Sequence, residues 1–221
     1  MDVKNLDIAY KFKNIELLNT AFTHLSYSNE HGVDSYERME YLGDSILQLI
    51  VSEYLYENFS HITSGELSKY RSYLVSTQSL STITKKLHFD KYIKIGKALN
   101  SVSDALMADL FESVLCAIYL DCGIDSAKSF VMNYLIKDRE NVLNIINSSK
   151  DYKTALQEYI QSLTPQPSME YVVVSTEMKN NKTFFTMQLN IAGKCIATVT
   201  KTSKKDCEKN LSKIALENLT K

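Results

Sequence analysis

The sequence predicts an all-α domain followed by a small α+β domain whose elements run helix, three strands, helix. Apolar residues recur at helical spacing up to about residue 147, and strand-like alternation is absent there. β-Branched, aromatic and alternating segments appear only after Pro165. At 221 residues, 44% of them hydrophobic, the chain is long enough for two separate cores. The predicted division is residues 1–147, a short polar linker at 148–151 within NSSKD, and residues 152–221.

Leu17, Leu18 and Phe22 open a first amphipathic helix. The stretch YERMEYLGDSILQLIVSEYLYENF (36–59) predicts a long helix with Ile46, Leu47, Ile50, Tyr54 and Leu55 on its apolar face. GELSKYRSYLVSTQSLSTITKKL (65–87) predicts one or two helices, and DALMADLFESVLCAIYLDCG (104–123) another, ended by Gly123 as the residue after the C-cap. KSFVMNYLIKDRENVLNII (128–146) adds one or two more. DYKTALQEYIQSL (151–163) is a helix stopped by PQP at 165–167. The strands are MEYVVVS (169–175), KTFFTMQLN (182–190) and KCIATVT (194–200), with a turn at NIAG (190–193) between the last two. The final helix starts near Ser203, where S-K-K-D resembles a capping box, and its apolar face joins that of the 151–163 helix on one side of the sheet.

The formal net charge of −1 conceals an asymmetry. Residues 1–150 carry 15 basic and 19 acidic side chains, whereas residues 151–221 carry 10 and 7. Such a division suits a region that holds cations joined to one that holds a polyanion. The opening MDVKNLDIAYKFKN has no apolar h-region and does not read as a secretory signal, and the apolar runs fall short of the roughly 20 residues of a membrane span. Cys116, Cys122, Cys195 and Cys207 form no CxxC pair and no zinc-like cluster with the four histidines. They read as reduced, small apolar residues of a cytoplasmic protein.

Glu37, Glu40 and Asp44 stand at i, i+3 and i+7, on one face of the long helix, and no Lys or Arg occurs between Arg38 and Lys69. Asp109 and Glu112 share a face of a second helix, and no Lys or Arg occurs between Lys97 and Lys128. Like charges at this spacing cost a few tenths of a kcal/mol, and nothing nearby in sequence offsets them. One reading is a solvated acidic face on each helix. The other is a shared divalent cation, because carboxylates at the edge of an apolar helix need a partner. Oxygen ligands without His or Cys favour Mg²⁺ or Mn²⁺ over zinc, and such sites serve phosphodiester chemistry.

ERMEYLGDSIL (37–47) resembles the signature of the ribonuclease III family of double-strand-specific endoribonucleases. AFTHLSYSNE (21–30) and GELSKYRSYLV (65–75) resemble the segments that flank it, and ADLFESVLCAIYLD (108–121) the second acidic motif. DYKTALQEYIQ (151–161) and SKKDCEKNLSKIALENL (203–219) resemble the two helices of a double-stranded-RNA-binding domain, so the resemblance spans nearly the whole chain in the family's order. It implies a ribonuclease III endonuclease domain and an Mg²⁺-dependent activity, with Mn²⁺ able to substitute. The implied products carry 5′-phosphate and 3′-hydroxyl ends with a short 3′ overhang. The implied substrates are precursors of ribosomal, messenger and transfer RNA. By position, Glu40, Asp109 and Glu112 match the metal ligands, and Asp44 and Glu112 the catalytic positions most sensitive to substitution. Glu37 and Glu66 match supporting acids of the cleft. The resemblance also implies a homodimer in which Tyr41 enters the partner subunit; on the residues alone, Tyr41 reads as an ordinary core aromatic.

Double-stranded RNA is recognised by its shape, 2′-hydroxyls and phosphates. The resemblance implies Thr154, Gln157 and Glu158 at a minor groove, and Lys204 and Lys205 at phosphates, where a helix N-terminus also favours anions. On the residues alone the two lysines read as solvated. Three departures from the family pattern stand out. A Gly-Pro-x-His element is missing around MKNN (178–181), glycines are replaced around VTKTSKK (199–205), and the paired small residues of the last helix appear as Leu211-Ser212. They leave the fold in place and predict a weaker grip on the RNA, with the nuclease dimer supplying more of the binding. The rival reading is a double-stranded-RNA-binding protein with a non-catalytic nuclease-like scaffold, whose hallmark would be lost catalytic acids; all four are present.

Overall fold

The computed structural model describes residues 3, 6–97, 99, 101–149, 151–179 and 182–219, the side chains of 148 and 149 excepted. The chain divides into two compact units, Met1–Ser149 and Lys150–Lys221. Lys150, within the expected linker, lies outside the described residues.

Eight α-helices are described in the first unit: α1 (Ile15–Ala21), α2 (Leu25–His31), α3 (Glu37–Asn58), α4 (Ser64–Leu74), α5 (Thr77–Lys86), α6 (Asp104–Cys122), α7 (Ile124–Val131) and α8 (Arg139–Ser149). The α6 helix is the axis. Leu106, Leu110, Phe111, Val114, Leu115 and Ile118 are all buried on it, and α1, α3, α5 and α7 pack around it. Its sequence is apolar on most of its circumference, as a helix enclosed by neighbours requires. Gly123, at φ 83°, closes α6 and opens α7 in one residue, a backbone state that glycine reaches at no steric cost.

Residues 65–87 form two helices because Ser76 leaves the helical region and caps α5, its hydroxyl accepting from Ser79 N. The α2 helix departs from expectation. None of its residues is buried, so it has no apolar periodicity to read. It is held by its ends: His24 Nδ1 accepts from Ser26 N, and Gly32 terminates it in the left-handed region. The 128–146 stretch starts earlier than expected, at Ile124, passes through a π turn at Met132–Ile136, and breaks at Lys137. The N-terminal segment is pinned to the end of α6 by Asp121, whose carboxylate accepts from Tyr10 Oη (2.7 Å), Lys13 N (2.8 Å) and Asn14 N (2.8 Å).

The second unit runs α9 (Tyr152–Ser162), β1 (Met169–Lys179), β2 (Lys182–Ile191), β3 (Lys194–Lys201) and α10 (Lys204–Leu219). The strands form one antiparallel sheet in the order β1-β2-β3. Between β2 and β3 the turn residues are Ala192 (φ 51°) and Gly193 (φ 75°), both in the left-handed state that a two-residue hairpin turn demands. Leu156 and Ile160 of α9 and Cys207, Leu211 and Ala215 of α10 meet Met187, Leu189 and Ile191 of the sheet. Both helices therefore cover one face, as expected. Leu211 and Ser212, which stand where the family has paired small residues, are both buried, and Ser212 Oγ bonds Tyr171 Oη at 2.6 Å. Asn180 and Asn181, in the loop where the Gly-Pro-x-His element is missing, lie outside the described residues. The four cysteines are free; Cys116 and Cys207 are buried, but Cys122 and Cys195 are exposed and are not core residues. Among the described residues no helix is long and apolar enough to cross a membrane.

Candidate active site

Two helices bring the acids together, and a glycine sets how closely. A Cβ placed on Gly43 of α3 would lie 2.0 Å from the backbone oxygen of Glu112 on α6. Only a residue without a side chain lets the helices cross there. The crossing faces Glu40, one turn before Gly43, toward Asp109 and Glu112. One carboxylate oxygen from each of Glu40, Asp109 and Glu112 lies within 4.8 Å of the other two, and all three side chains are half-buried. At this separation each ionised pair repels by on the order of 3 kcal/mol at an effective dielectric near 20.

The electrostatics follow from that crowding. Burial, reinforced by the charges of Asp44, Asp109 and Glu40, pushes the Glu112 carboxyl up to about 8. Glu40 is raised by burial and by Asp109, Glu37 and Asp44. Asp109 is also raised by burial, while a hydrogen bond from Tyr36 and the nearby His24 pull the other way. Tyr36 Oη donates to Asp109 Oδ2 at 3.4 Å. Burial and the Asp109 and Glu40 charges hold the phenol far above its usual range.

The remaining acids are placed differently. Asp44 is not among the three clustered oxygens; both of its oxygens accept from Gln48 Nε2, at 2.9 and 2.8 Å. Glu37 is exposed and, with His24, Asn29 and Tyr36, lines a cavity of about 400 Å³ that Glu40 and Asp109 also border. Glu66 is not brought into the group. It is the third residue of α4, and its carboxylate accepts from Thr63 N and Thr63 Oγ1, both at 3.0 Å, in a capping box. Tyr41 is 79% exposed, so it is no ordinary core aromatic.

On the second unit, Thr154, Gln157 and Glu158 are exposed along one face of α9, opposite the buried Leu156 and Ile160. Thr154 also donates to Asp151 Oδ2, at 2.8 Å, within the N-cap. Lys204 and Lys205 are exposed in the first turn of α10, whose start is fixed by Ser203 accepting from Asp206 N and donating to Asp206 Oδ2. The Lys204 ammonium lies 5.5 Å from the Phe185 ring.

The Ribonuclease-III-like family model matches residues 14–139, and the double-stranded RNA binding motif matches residues 152–219. Ribonuclease 3 of Streptococcus pyogenes serotype M1 is 37% identical over 217 residues, covering 95% of this chain and 93% of that protein. Ribonuclease 3 of Clostridium tetani is 37% identical over 232 residues, covering 99% and 95%. The chain belongs to the ribonuclease III family. A solved ribonuclease III nuclease domain from Campylobacter jejuni has a similar fold, with a TM-score of 0.55 and 32% identity over 59% of this chain and 92% of that one.

For a ribonuclease III chain, the two acidic motifs meet as their spacing suggested, but several partners were not foreseen. Gln48 lies at i+4 from Asp44, a helical spacing that could have revealed it. Tyr36 and His24 had no such signal, since they approach Asp109 from segments more than 70 residues away in sequence.

Proposed function

We propose that the protein is an Mg²⁺-dependent cytoplasmic endoribonuclease. It hydrolyses phosphodiester bonds in double-stranded RNA to 5′-phosphate and 3′-hydroxyl ends with a short 3′ overhang. The observation that carries this reading is the cluster of Glu40, Asp109 and Glu112 oxygens contributed by two helices. The donor set fits a hard cation: every ligand is a carboxylate oxygen, and a divalent charge would offset the burial and the mutual repulsion that together raise Glu112. Once bound, Mg²⁺, or Mn²⁺ in its place, supplies water activation and neutralises charge developing on the leaving 3′ oxygen.

The chain's own groups do the rest. Tyr36 holds Asp109 in orientation through its hydroxyl, and Gln48 holds Asp44 beside Glu112. We assign Asp44 to orienting the attacking water. Glu37, at the border of the adjoining cavity, supports the cleft. Glu66, in the first turn of α4, supports the cleft as well. Thr154, Gln157 and Glu158 meet a minor groove of the RNA, and Lys204 and Lys205 its phosphates. The Campylobacter jejuni nuclease domain is described as having a region involved in dimer formation. Together with the exposed Tyr41, this supports a homodimer here. The substrates are ribosomal RNA precursors and structured transcripts, including messenger and transfer RNA precursors.

The test is incubation of a long perfect RNA duplex with the protein in Mg²⁺, in Ca²⁺, and as Glu112→Gln. Short duplex products only for the unaltered protein in Mg²⁺, with binding intact in all three arms, are expected. Binding without cleavage under every divalent ion would replace this reading with a non-catalytic RNA-binding scaffold.

A further inference from the structure

A cavity in the first unit lies apart from the acidic cleft. It has a volume of about 870 Å³, lies between α5 and the π turn leading to α8, and shares no lining residue with the Glu40–Asp109–Glu112 group. That volume is in the range of small-molecule sites, roughly 300–1,000 Å³.

Three independent features meet there. The first is charge. Lys86 and Lys137 both line the cavity, no Asp or Glu does, and neither lysine forms an ion pair among the described residues. In a unit whose acids outnumber its bases, a carboxylate-free cavity with two lysines is a selective place for an anion.

The second is backbone. Lys137 N donates to Met132 O at 2.7 Å, closing the π turn, and Asp138 N donates to Ile136 O at 2.7 Å across Lys137. Lys137 itself sits at φ 57°, ψ −72°, the centre of a γ-turn of the strained hand. Asn141 holds the turn from beneath, its Nδ2 donating to Leu135 O (2.8 Å) and Ile136 O (3.1 Å). Strain of this kind clusters at sites where it places a side chain for use.

The third is shape. Tyr73 and Tyr134 are among the lining residues, together with the aliphatic Ile83. Tyr134 is fixed in advance: its ring packs on Phe130, centroids 5.0 Å apart, and its hydroxyl accepts from Ala9 N at 2.7 Å. A pre-fixed aromatic side chain lining the same cavity as two cations suits a flat heterocycle carrying a phosphate.

We propose that this cavity binds a free nucleoside monophosphate, with Lys86 and Lys137 on the phosphate and the tyrosines against the base. The ligand would sit outside the nuclease cleft, as an effector and not as substrate.

Isothermal titration calorimetry on the full chain tests this, with AMP, UMP and adenosine in EDTA so that no cation draws nucleotide to the acids. AMP and UMP are expected to bind, and adenosine to bind about tenfold or more weakly, the loss of a charge-assisted contact. Lys86→Gln and Lys137→Gln should each weaken AMP by a similar factor. Lys137→Gly removes the amine while easing the backbone, so it separates lost charge from misfolding. Glu112→Gln should leave binding unchanged. No heat from either nucleotide up to millimolar concentration would overturn the proposal. So would equal affinity for adenosine, or binding lost in Glu112→Gln and kept in the lysine variants.

Discussion

Glu112 is where burial and like charge converge. Its ordinary carboxyl value near 4.5 becomes about 8 in the folded chain, so the folded state holds that proton more tightly than the unfolded state does. The stabilising contribution is therefore complete below about 4.5 and is lost as pH rises through about 8. The metal-free protein is expected to lose thermal stability across that window, and Glu112→Gln, neutral throughout, to flatten the loss. Adding Mg²⁺ at pH 8 should raise the melting temperature of the unaltered protein and not of the variant, because the cation binds the ionised form. Calorimetric melts across pH, with and without Mg²⁺, decide this. Profiles that coincide for the two proteins would remove Glu112 from the site.

At the scale of elements, the site is a helix crossing. Gly43→Ala would set a methyl against a backbone oxygen that has no side chain to rotate away. The α3 and α6 helices must separate, at a cost of about 1–3 kcal/mol as in other overpacked cores. Cleavage should fall further than stability, since both pairs that Glu40 makes, with Asp109 and with Glu112, span that crossing; urea unfolding beside duplex cleavage measures both. On α10, Lys204→Ala and Lys205→Ala should each weaken duplex binding uniformly across sequences. Each should also reduce the steepness of its salt dependence by about one ion. An unchanged salt slope in the double variant would return both lysines to the solvent.

Periodicity made the long helices and the sheet legible. Ile46, Leu47 and Ile50 announce α3, and the Asn190–Gly193 turn announces the β2–β3 hairpin. It could not announce α2, which buries nothing, or the π turn, whose apolar residues continue the pattern of α7 without interruption. The acids were legible because helical spacing alone puts them on two faces. That three of them converge while Asp44 turns to Gln48 depends on the side chains opposite, which no local pattern encodes.

For the molecule as a whole, the two units have separate cores, so each can be removed without opening the other. Deleting residues 148–221 should leave a folded first unit that still binds duplex RNA at low salt. Complete loss of binding there would place the whole grip on the second unit. Tyr41→Ala should shift the chain toward monomer in sedimentation velocity while barely moving the melting temperature of the monomer, because the ring is exposed within one chain. A variant that self-associates like the unaltered protein would exclude Tyr41 from the subunit contact.

The anchoring of the N-terminal segment by Asp121 bears on how the chain is made. Tyr10, Lys13 and Asn14 leave the ribosome more than 100 residues before the carboxylate that will receive them. At bacterial and eukaryotic synthesis speeds of about 5–20 residues per second, that interval is roughly 5–20 s. Throughout it, α1, α3 and α5 lack the central helix on which their apolar faces close. The nascent first unit is thus a set of waiting parts until α6 emerges, and a protease added to stalled chains should find residues 10–14 cleavable before that point and shielded after it.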